Sequence, residues 1–178
     1  LLAHGTDFQK EKYLKPLFNG EKRICYSMTE KAAGADATGM QTTAEKDGKG
    51  NYILNGEKWF SSSANVADIA VVMAKTNPDA PRHQQFSTFI VELPNPGYKI
   101  LRNIPTMAVH SKIAEEMGAA HCEISIDNLV VSEENLLGGE GQGFAMGQHR
   151  LAYGRLRHGM HNVAMAQRAL DLATAHVT

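Results

Sequence analysis

Residues 26–43 read Tyr26-Ser27-Met28-Thr29-Glu30-Lys31-Ala32-Ala33-Gly34-Ala35-Asp36-Ala37-Thr38-Gly39-Met40-Gln41-Thr42-Thr43, two strand-like segments joined by a loop of small side chains. The first segment, residues 24–29, contains β-branched and aromatic residues, which favour a strand. Residues 31–39 are mostly Ala, Gly and Asp, and a second strand is predicted at residues 40–45. Small side chains let another molecule approach the backbone, whose N–H groups can then bind anionic or carbonyl oxygens. An ordinary surface connection between two strands is the alternative interpretation.

A second stretch reads Gly56-Glu57-Lys58-Trp59-Phe60-Ser61-Ser62-Ser63. It is a predicted strand that carries two aromatic side chains and ends in three hydroxyls. Together with the loop of small residues, this strand end favours a binding site over a simple surface connection.

With two later motifs, these stretches resemble the middle domain of the acyl-CoA dehydrogenase family of flavoproteins. The family pattern Tyr/Cys-x-Leu/Val-Thr-Glu-Pro-x-Ala-Gly-Ser-Asp is similar to residues 26–36, and Asn-Gly-x-Lys-x-Trp-Ile-Thr/Ser is similar to residues 55–62. The later motifs lie at residues 130–138 with 141–144, and at residues 154–155 with 166–170. The motifs follow one another in family order and span almost the whole chain.

The spacing of the predicted strands indicates a mainly β fold. The strands are predicted at residues 24–29, 40–45, 52–61, 69–75, 88–92, 98–101 and 119–131. Turn residues and no helices separate them, which favours a closed or sandwiched antiparallel sheet. The resemblance implies the same, as an antiparallel, two-sheet, barrel-like domain. We expect this middle domain at residues 23–140, flanked by helical segments of truncated all-α domains at residues 1–22 and 141–178.

Helices are predicted at both ends of the chain. Thr6 can cap a helix over residues 6–18, and Asn19-Gly20 can end it. Residues 143–178 form a long helix with one apolar stripe, made of Leu156, Met160, Val163 and Leu170. The chain starts at Leu1 rather than Met and stops inside this helical pattern, so both ends look cut.

Composition excludes several classes of function. Lys and Arg number 18 against 19 Asp and Glu, so no net field favours nucleic acid or an anionic membrane. No apolar run approaches the roughly 18 residues that a transmembrane segment needs. Cys25 and Cys122 lie in strand-like runs, which predicts buried free thiols and indicates a reducing compartment. The resemblance implies the cytoplasm in a bacterium and mitochondria or peroxisomes in a eukaryote.

The resemblance implies that the protein binds FAD. The strand around Met28 and Thr29 would lie along the pyrimidine edge of the flavin and supply backbone and hydroxyl hydrogen bonds. Phe60 takes the position of a Trp that flanks the flavin, and Ser62 that of a Thr or Ser near N5. The full set of implied cofactor contacts is Tyr26, Met28, Thr29, Gly34, Ala35, Phe60, Ser61 and Ser62. Core packing for Phe60 and a solvated strand end for the serines are the alternatives.

Two departures from the family pattern affect the expected phosphate contacts. Ala35 replaces a common Ser near the flavin pyrophosphate, so only its backbone N–H could bind there. Lys31 replaces a common Pro, which makes the loop less rigid and adds a positive charge near that phosphate. The implied substrate contacts are Ala35 and Arg155, and a solvated or ion-paired side chain is the alternative for Arg155.

No catalytic base is predicted within this chain. Most family members have a Glu in the C-terminal domain, which would lie beyond Thr178. The minority position, just before the Gly-Arg-like arginine, is occupied here by Gly154. Glu30, Glu115 and Glu116 are not favoured, because carboxylates are usually exposed. His158 and His161 have metal-binding spacing without a third ligand, so no metal is predicted.

The implied activity is the α,β-dehydrogenation of acyl-CoA thioesters, as in fatty acid β-oxidation. An electron-transfer flavoprotein would accept the electrons, and the protein would be a homotetramer or dimer. Alternatives are a flavin-dependent acyl-CoA or nitroalkane oxidase of the same superfamily, and a non-catalytic module that binds acyl-CoA or flavin.

Overall fold

The computed structural model describes residues 1–107, 112, 116–118 and 120–177. The chain divides into two compact units, Leu1–Phe144 and Ala145–Thr178. Glu115, which the sequence considered as a base, and Ala119, the predicted start of the last long strand, lie outside the described residues.

The first helical segment, α1, is capped as its sequence predicts. It has an α-helical start, a π-helical middle and an α-helical end, which are Asp7–Gln9, Lys10–Leu14 and Lys15–Phe18. Thr6 and Gln9 exchange side-chain to backbone hydrogen bonds of 3.2 Å in both directions, a capping box. The amide nitrogen of the buried Gln9 side chain also donates to the carbonyls of Glu134 and Leu136, at 2.7 and 2.8 Å. These bonds fix α1 to residues 134–136, which follow the strand His121–Ser132.

Eight strands form one mixed sheet. They are β1 Ile24–Ser27, β2 Thr43–Lys46, β3 Asn51–Ser62, β4 Ile69–Lys75, β5 Phe86–Glu92, β6 Tyr98–Asn103, β7 His121–Ser132 and β8 Leu136–Leu137. The order is β6-β7-β3-β2-β4-β5-β8, with β1 beside β4. The mainly β fold with helical flanks is therefore confirmed.

The strand pairs differ from the prediction in direction. The pairs β1–β4 and β2–β4 are parallel, so the expectation of a wholly antiparallel sheet is wrong for them. Parallel neighbours require long connections, and the chain between β1 and β4 contains the small-residue loop and the β2–β3 hairpin. Strands β6 and β8 lie at the two edges of the sheet. Within the described residues they do not pair with each other, so the sheet is not closed into a barrel.

The junction between β2 and β4 is narrow. Thr43 and Lys75 are its one register pair, and the Lys75 amide donates to the Thr42 carbonyl at 2.8 Å. The sheet thus consists of two well-paired groups, one on each side of this junction. The structure therefore has one sheet where two were predicted, because the contact between β2 and β4 joins the two groups.

Both groups contribute to one hydrophobic core. Tyr52 of β3 packs against Phe89 of β5 with ring centroids 4.9 Å apart. Cys25 and Cys122 are buried in this core as free thiols, which confirms the prediction for both. Strand β4 is buried on both faces, because Met73 faces a separate cluster. That second cluster lies beneath the small-residue loop and consists of Ala33, Met40, Met73 and Phe86, with Tyr26, Met28 and Phe144 packed against it.

The long helix α2, Gly143–Val177, extends through the second unit. The side chains of its predicted apolar stripe are between 60% and 71% exposed; they are Leu156, Met160, Val163 and Leu170. None of the described helices combines the length and the apolarity that crossing a lipid bilayer requires.

Candidate functional site

The segment after β1 lies beside the end of β3, as the paired motifs predict. The backbone amide of Trp59 donates to the carbonyl of Thr29 at 2.7 Å. The Thr29 side chain is exposed, and in the described part of the chain its hydroxyl has no hydrogen-bond partner. The two motifs that carry the resemblance therefore meet at one surface.

A buried ion pair joins the same two segments from below. Lys58 Nζ lies 2.8 Å from Glu30 Oε1, and the exposed fractions of the two side chains are 0% and 1%. Lys58 also donates to the Met28 carbonyl at 3.1 Å. Glu30 accepts hydrogen bonds from the backbone amides of Gln41 and Thr42, at 2.5 and 3.0 Å. The pair therefore joins β3 to the segments just before and just after the small-residue loop.

Burial and charge act in opposite directions on this pair. Burial tends to raise the pKa of Glu30, but the Lys58 charge and the Gln41 amide outweigh it, so that the pKa lies below its ordinary value. Burial lowers the pKa of Lys58 to about 8, although Glu30 favours the charged form. The expectation that Glu30 is an exposed carboxylate is therefore wrong: Glu30 is a buried structural anion.

Hydrogen bonds and an ion pair fix the small-residue loop near Asp36, whereas its middle is exposed. Asp36 caps the following turn by accepting a hydrogen bond from the Thr38 amide at 3.0 Å, and Arg82 forms an ion pair with Asp36. Gly34 and Ala35 are exposed. A Cβ atom placed on Gly34 would meet no other atom within 4 Å, so space is open in front of this backbone.

A bulge at the end of β3 turns two predicted site residues to the surface. The register with β7 shifts between Lys58 and Ser61, and Phe60 within the shift has a φ of 53°, in the left-handed region. The extra residue reverses the alternation of inward and outward side chains. Phe60 is 43% exposed and Ser62 is exposed, whereas Lys58 and Ser61 are buried.

Ser61 belongs to a buried hydroxyl network rather than to this surface. The Ser27 hydroxyl lies 2.9 Å from the Ser61 hydroxyl and 2.7 Å from the Tyr98 hydroxyl. Burial raises the pKa of Tyr98, which therefore stays protonated. Through Ser27, this network joins β1, β3 and β6, and Ser62 is the exposed hydroxyl of the two neighbouring serines.

Lys31 contacts a carboxylate of β7. Its ammonium lies 2.6 Å from Glu123 and 4.5 Å from the centre of the Trp59 ring. Arg102 of β6 binds the same carboxylate at 2.6 Å. Hydrogen bonds from Lys31 oppose the effect of burial and lower the pKa of Glu123. Lys31 thus attaches the loop to the sheet, instead of being left unpaired for a phosphate.

The remaining predicted residues lie in two different places. Tyr26 and Met28 are half-buried and pack against the cluster beneath the loop. Arg155 lies in the second unit, where its guanidinium donates to Gln148 at 2.9 Å.

Comparison with known proteins agrees with this arrangement of motifs. The family profile described as acyl-CoA dehydrogenase, middle domain, matches residues 25–129. The chain belongs to the acyl-CoA dehydrogenase family. "Probable acyl-CoA dehydrogenase FadE2" of Mycobacterium tuberculosis is 42% identical over 178 residues, which cover 97% of this chain and 42% of the relative. The chain thus spans about two fifths of that relative's length.

Solved acyl-CoA dehydrogenases share the fold. Butyryl-CoA dehydrogenase from Megasphaera elsdenii matches with a TM-score of 0.72 and 37% identity, over 80% of this chain and 35% of that one. An acyl-CoA dehydrogenase from Geobacillus kaustophilus matches with a TM-score of 0.73 and 36% identity, over 84% of this chain and 38% of that one.

The exposed groups of this surface fit a flavin, the cofactor of this family. Thr29 offers an exposed hydroxyl, Phe60 an exposed ring, Ser62 a second exposed hydroxyl, and Gly34 an open stretch of backbone. Flat aromatic cofactors bind through such combinations of fixed polar groups and apolar walls.

Sequence analysis missed the Lys58–Glu30 pair, although alternation along β3 contained a signal for it. Lys58 is in phase with Tyr52 and Leu54, which are buried, so period-two alternation directs it inward. A lysine in that position needs a buried partner.

Proposed function

We propose that the full-length protein binds FAD at the surface of Thr29, Phe60 and Ser62 and dehydrogenates an acyl-CoA thioester. The observation that carries this proposal is the contact between the two motif segments, in which Trp59 donates to Thr29 and Lys58 to Met28. It is supported by the match to butyryl-CoA dehydrogenase, whose name identifies a short acyl-CoA thioester.

Each residue of this surface has a distinct part. The Met28–Thr29 segment would hold the pyrimidine edge of the flavin, since its exposed hydroxyl can bind polar ring atoms. Phe60 would cover one side of the ring system and exclude water. Ser62 would place its hydroxyl near N5. The neighbouring Ser61, which is hydrogen-bonded to Ser27 in the interior, would fix the end of β3 from the buried side. The Gly34–Ala35 backbone would approach the pyrophosphate.

Bound FAD supplies the acceptor for the hydride that leaves the substrate β-carbon. The α-proton requires a carboxylate base. Glu30 is paired with Lys58 and is not our candidate, and we propose a base beyond Thr178 because the family resemblance implies a Glu of the C-terminal domain. Arg155 is our candidate for the CoA side of the substrate. We also propose that an electron-transfer flavoprotein reoxidises the enzyme and that the enzyme is a homo-oligomer.

The visible spectrum of the full-length protein tests this proposal. We expect stoichiometric flavin and, without oxygen, bleaching at about 450 nm when acyl-CoA thioesters of a suitable chain length are added. A bound flavin that every thioester leaves oxidised would favour another class of substrate, such as that of a nitroalkane oxidase. A full-length protein without flavin would contradict the proposal and favour a binding module.

A further inference from the structure

His121 is the partner of Ser62 across β3 and β7. Its Nδ1 lies 2.8 Å from the Ser62 hydroxyl, and the two residues form a register pair of the antiparallel ladder. The ring also packs edge-on against Phe60, with centroids 6.0 Å apart and an interplanar angle of 80°. One imidazole thus touches both of the β3 side chains that the bulge turns to the surface.

Backbone hydrogen bonds fix His121 in this place. The Ile104 amide donates to the His121 carbonyl at 2.6 Å, and the Ser63 amide donates to the neighbouring Ala120 carbonyl at 2.7 Å. The contact with Ser62 therefore follows from the register of the sheet, and does not require a flexible side chain to find its partner.

A serine hydroxyl has one hydrogen, so its orientation depends on which neighbour receives it. The Phe60 carbonyl lies 3.4 Å from the Ser62 hydroxyl, whereas Nδ1 of His121 lies 2.8 Å away and is the closer acceptor. When Nδ1 of a neutral imidazole accepts this hydrogen, the lone pairs of Ser62 point away from His121. Ser62 can then accept a hydrogen bond from a donor but cannot donate one elsewhere. N5 of an oxidised flavin accepts hydrogen bonds, whereas N5 of a two-electron-reduced flavin carries a hydrogen and donates it.

We propose that His121 is a positioning residue that holds the Ser62 hydroxyl as an acceptor towards flavin N5 and thereby favours the reduced cofactor. The proposal rests on the proposed function, because it requires FAD at the surface of Phe60 and Ser62. His121 acts through Ser62 and is not itself expected to touch the reacting atoms. Its ring additionally supports Phe60, which is a separate, structural contribution.

The test measures the reduction midpoint of FAD in the full-length holoenzyme, together with its thermal unfolding. His121→Phe keeps an aromatic ring beside Phe60 but removes the hydrogen-bond acceptor. We expect it to disfavour the reduced flavin roughly tenfold, the scale of one oriented hydrogen bond, which lowers the midpoint by about 30 mV for a two-electron couple. His121→Asn carries a polar atom at about the reach of Nδ1 and is expected to restore most of the wild-type midpoint.

A double-mutant cycle separates positioning from general damage. In a Ser62→Ala background, His121→Phe is expected to leave the midpoint unchanged, because the hydroxyl through which it acts is gone. An unchanged or raised midpoint in His121→Phe alone, or the same shift with and without Ser62, would overturn the proposal. An enzyme that holds no flavin would overturn it together with the proposed function, whereas an insensitive flavin overturns the role of His121 alone.

Discussion

Breaking the buried ion pair by Lys58→Met should destabilise the fold strongly. Removal of one partner leaves the other charge buried, which typically costs about 3–5 kcal/mol. Both side chains are at most 1% exposed, so water cannot compensate. The Glu30 carboxylate keeps two backbone amide donors in this variant, which places the expected loss near the lower limit, about 3 kcal/mol. This corresponds to a fall in melting temperature of about 6–12 °C.

Two further variants identify the cause. Glu30→Gln combined with Lys58→Met removes both charges and retains one side-chain oxygen, which can accept from one of the two amides of Gln41 and Thr42 that bind different carboxylate oxygens of Glu30. We expect the double variant to be about 1–2 kcal/mol more stable than Lys58→Met alone. Lys15→Met is a matched control, because Lys15 pairs with Glu11 at the surface, where both side chains are at least 65% exposed, and such pairs contribute at most about 0.5 kcal/mol.

Urea unfolding followed by circular dichroism measures these differences. A loss below about 1 kcal/mol in Lys58→Met would refute the assignment of a coupled buried pair. The assignment would also be refuted if the free-energy changes of Lys58→Met and Glu30→Gln added up to that of the double variant, because a coupled pair must show a nonzero interaction free energy.

Three other predictions concern the same region. Because the pKa of Glu30 is lowered in the folded state, its ionisation stabilises the fold above pH 4.5, and this stability is lost as the pH falls through the native pKa. The unfolding free energy should therefore fall less steeply with decreasing pH in Glu30→Gln than in the wild type, and equal slopes would contradict this. Gly56→Ala should lower the unfolding free energy by about 2 kcal/mol or more, because its Cβ would lie 2.7 Å from the Thr42 Cα. Gly48→Ala, whose Cβ would enter open space, should lose about 1 kcal/mol, and equal losses would show that the contact with Thr42 is unimportant. Phe60→Gly should change the unfolding free energy by less than about 1 kcal/mol, because glycine tolerates a φ of 53°. The same variant should lower the FAD affinity of the full-length protein, and an unchanged affinity would show that Phe60 is not part of the site.

The positions of the strands could be predicted well because local composition encodes them. Strand β4 begins and ends at the predicted residues, 69 and 75, since a continuous apolar run lies between turn residues. β1 and β2 are shorter than predicted: β1 ends at Ser27 and β2 begins at Thr43. The missing residues have strand-like composition but are drawn into the loop, where Glu30 binds the amides of Gln41 and Thr42.

The directions of the strand pairs could not be predicted, because alternation identifies a buried face and not the neighbour that covers it. Neither the parallel pairing of β1 with β4 nor the short strand β8 leaves a local pattern. The contact of His121 with Ser62 depends on the register of β3 against β7, which residues far apart in sequence determine together. No local signal in either strand indicates that contact.

The candidate site lies where β3 departs from regular strand geometry. A regular strand would place Phe60 and Ser62 on the same face as Lys58, in the interior, and would expose Ser61. The extra residue at Phe60 exchanges these positions, so that Trp59, Phe60 and Ser62 share the outer face while Lys58 and Ser61 bind inward partners. The left-handed backbone of Phe60 costs free energy that the inward bonds of Lys58 and Ser61, on either side of it, help to offset. The same irregularity therefore explains both the failure of simple alternation for the serines and the presence of an exposed aromatic ring beside an exposed hydroxyl.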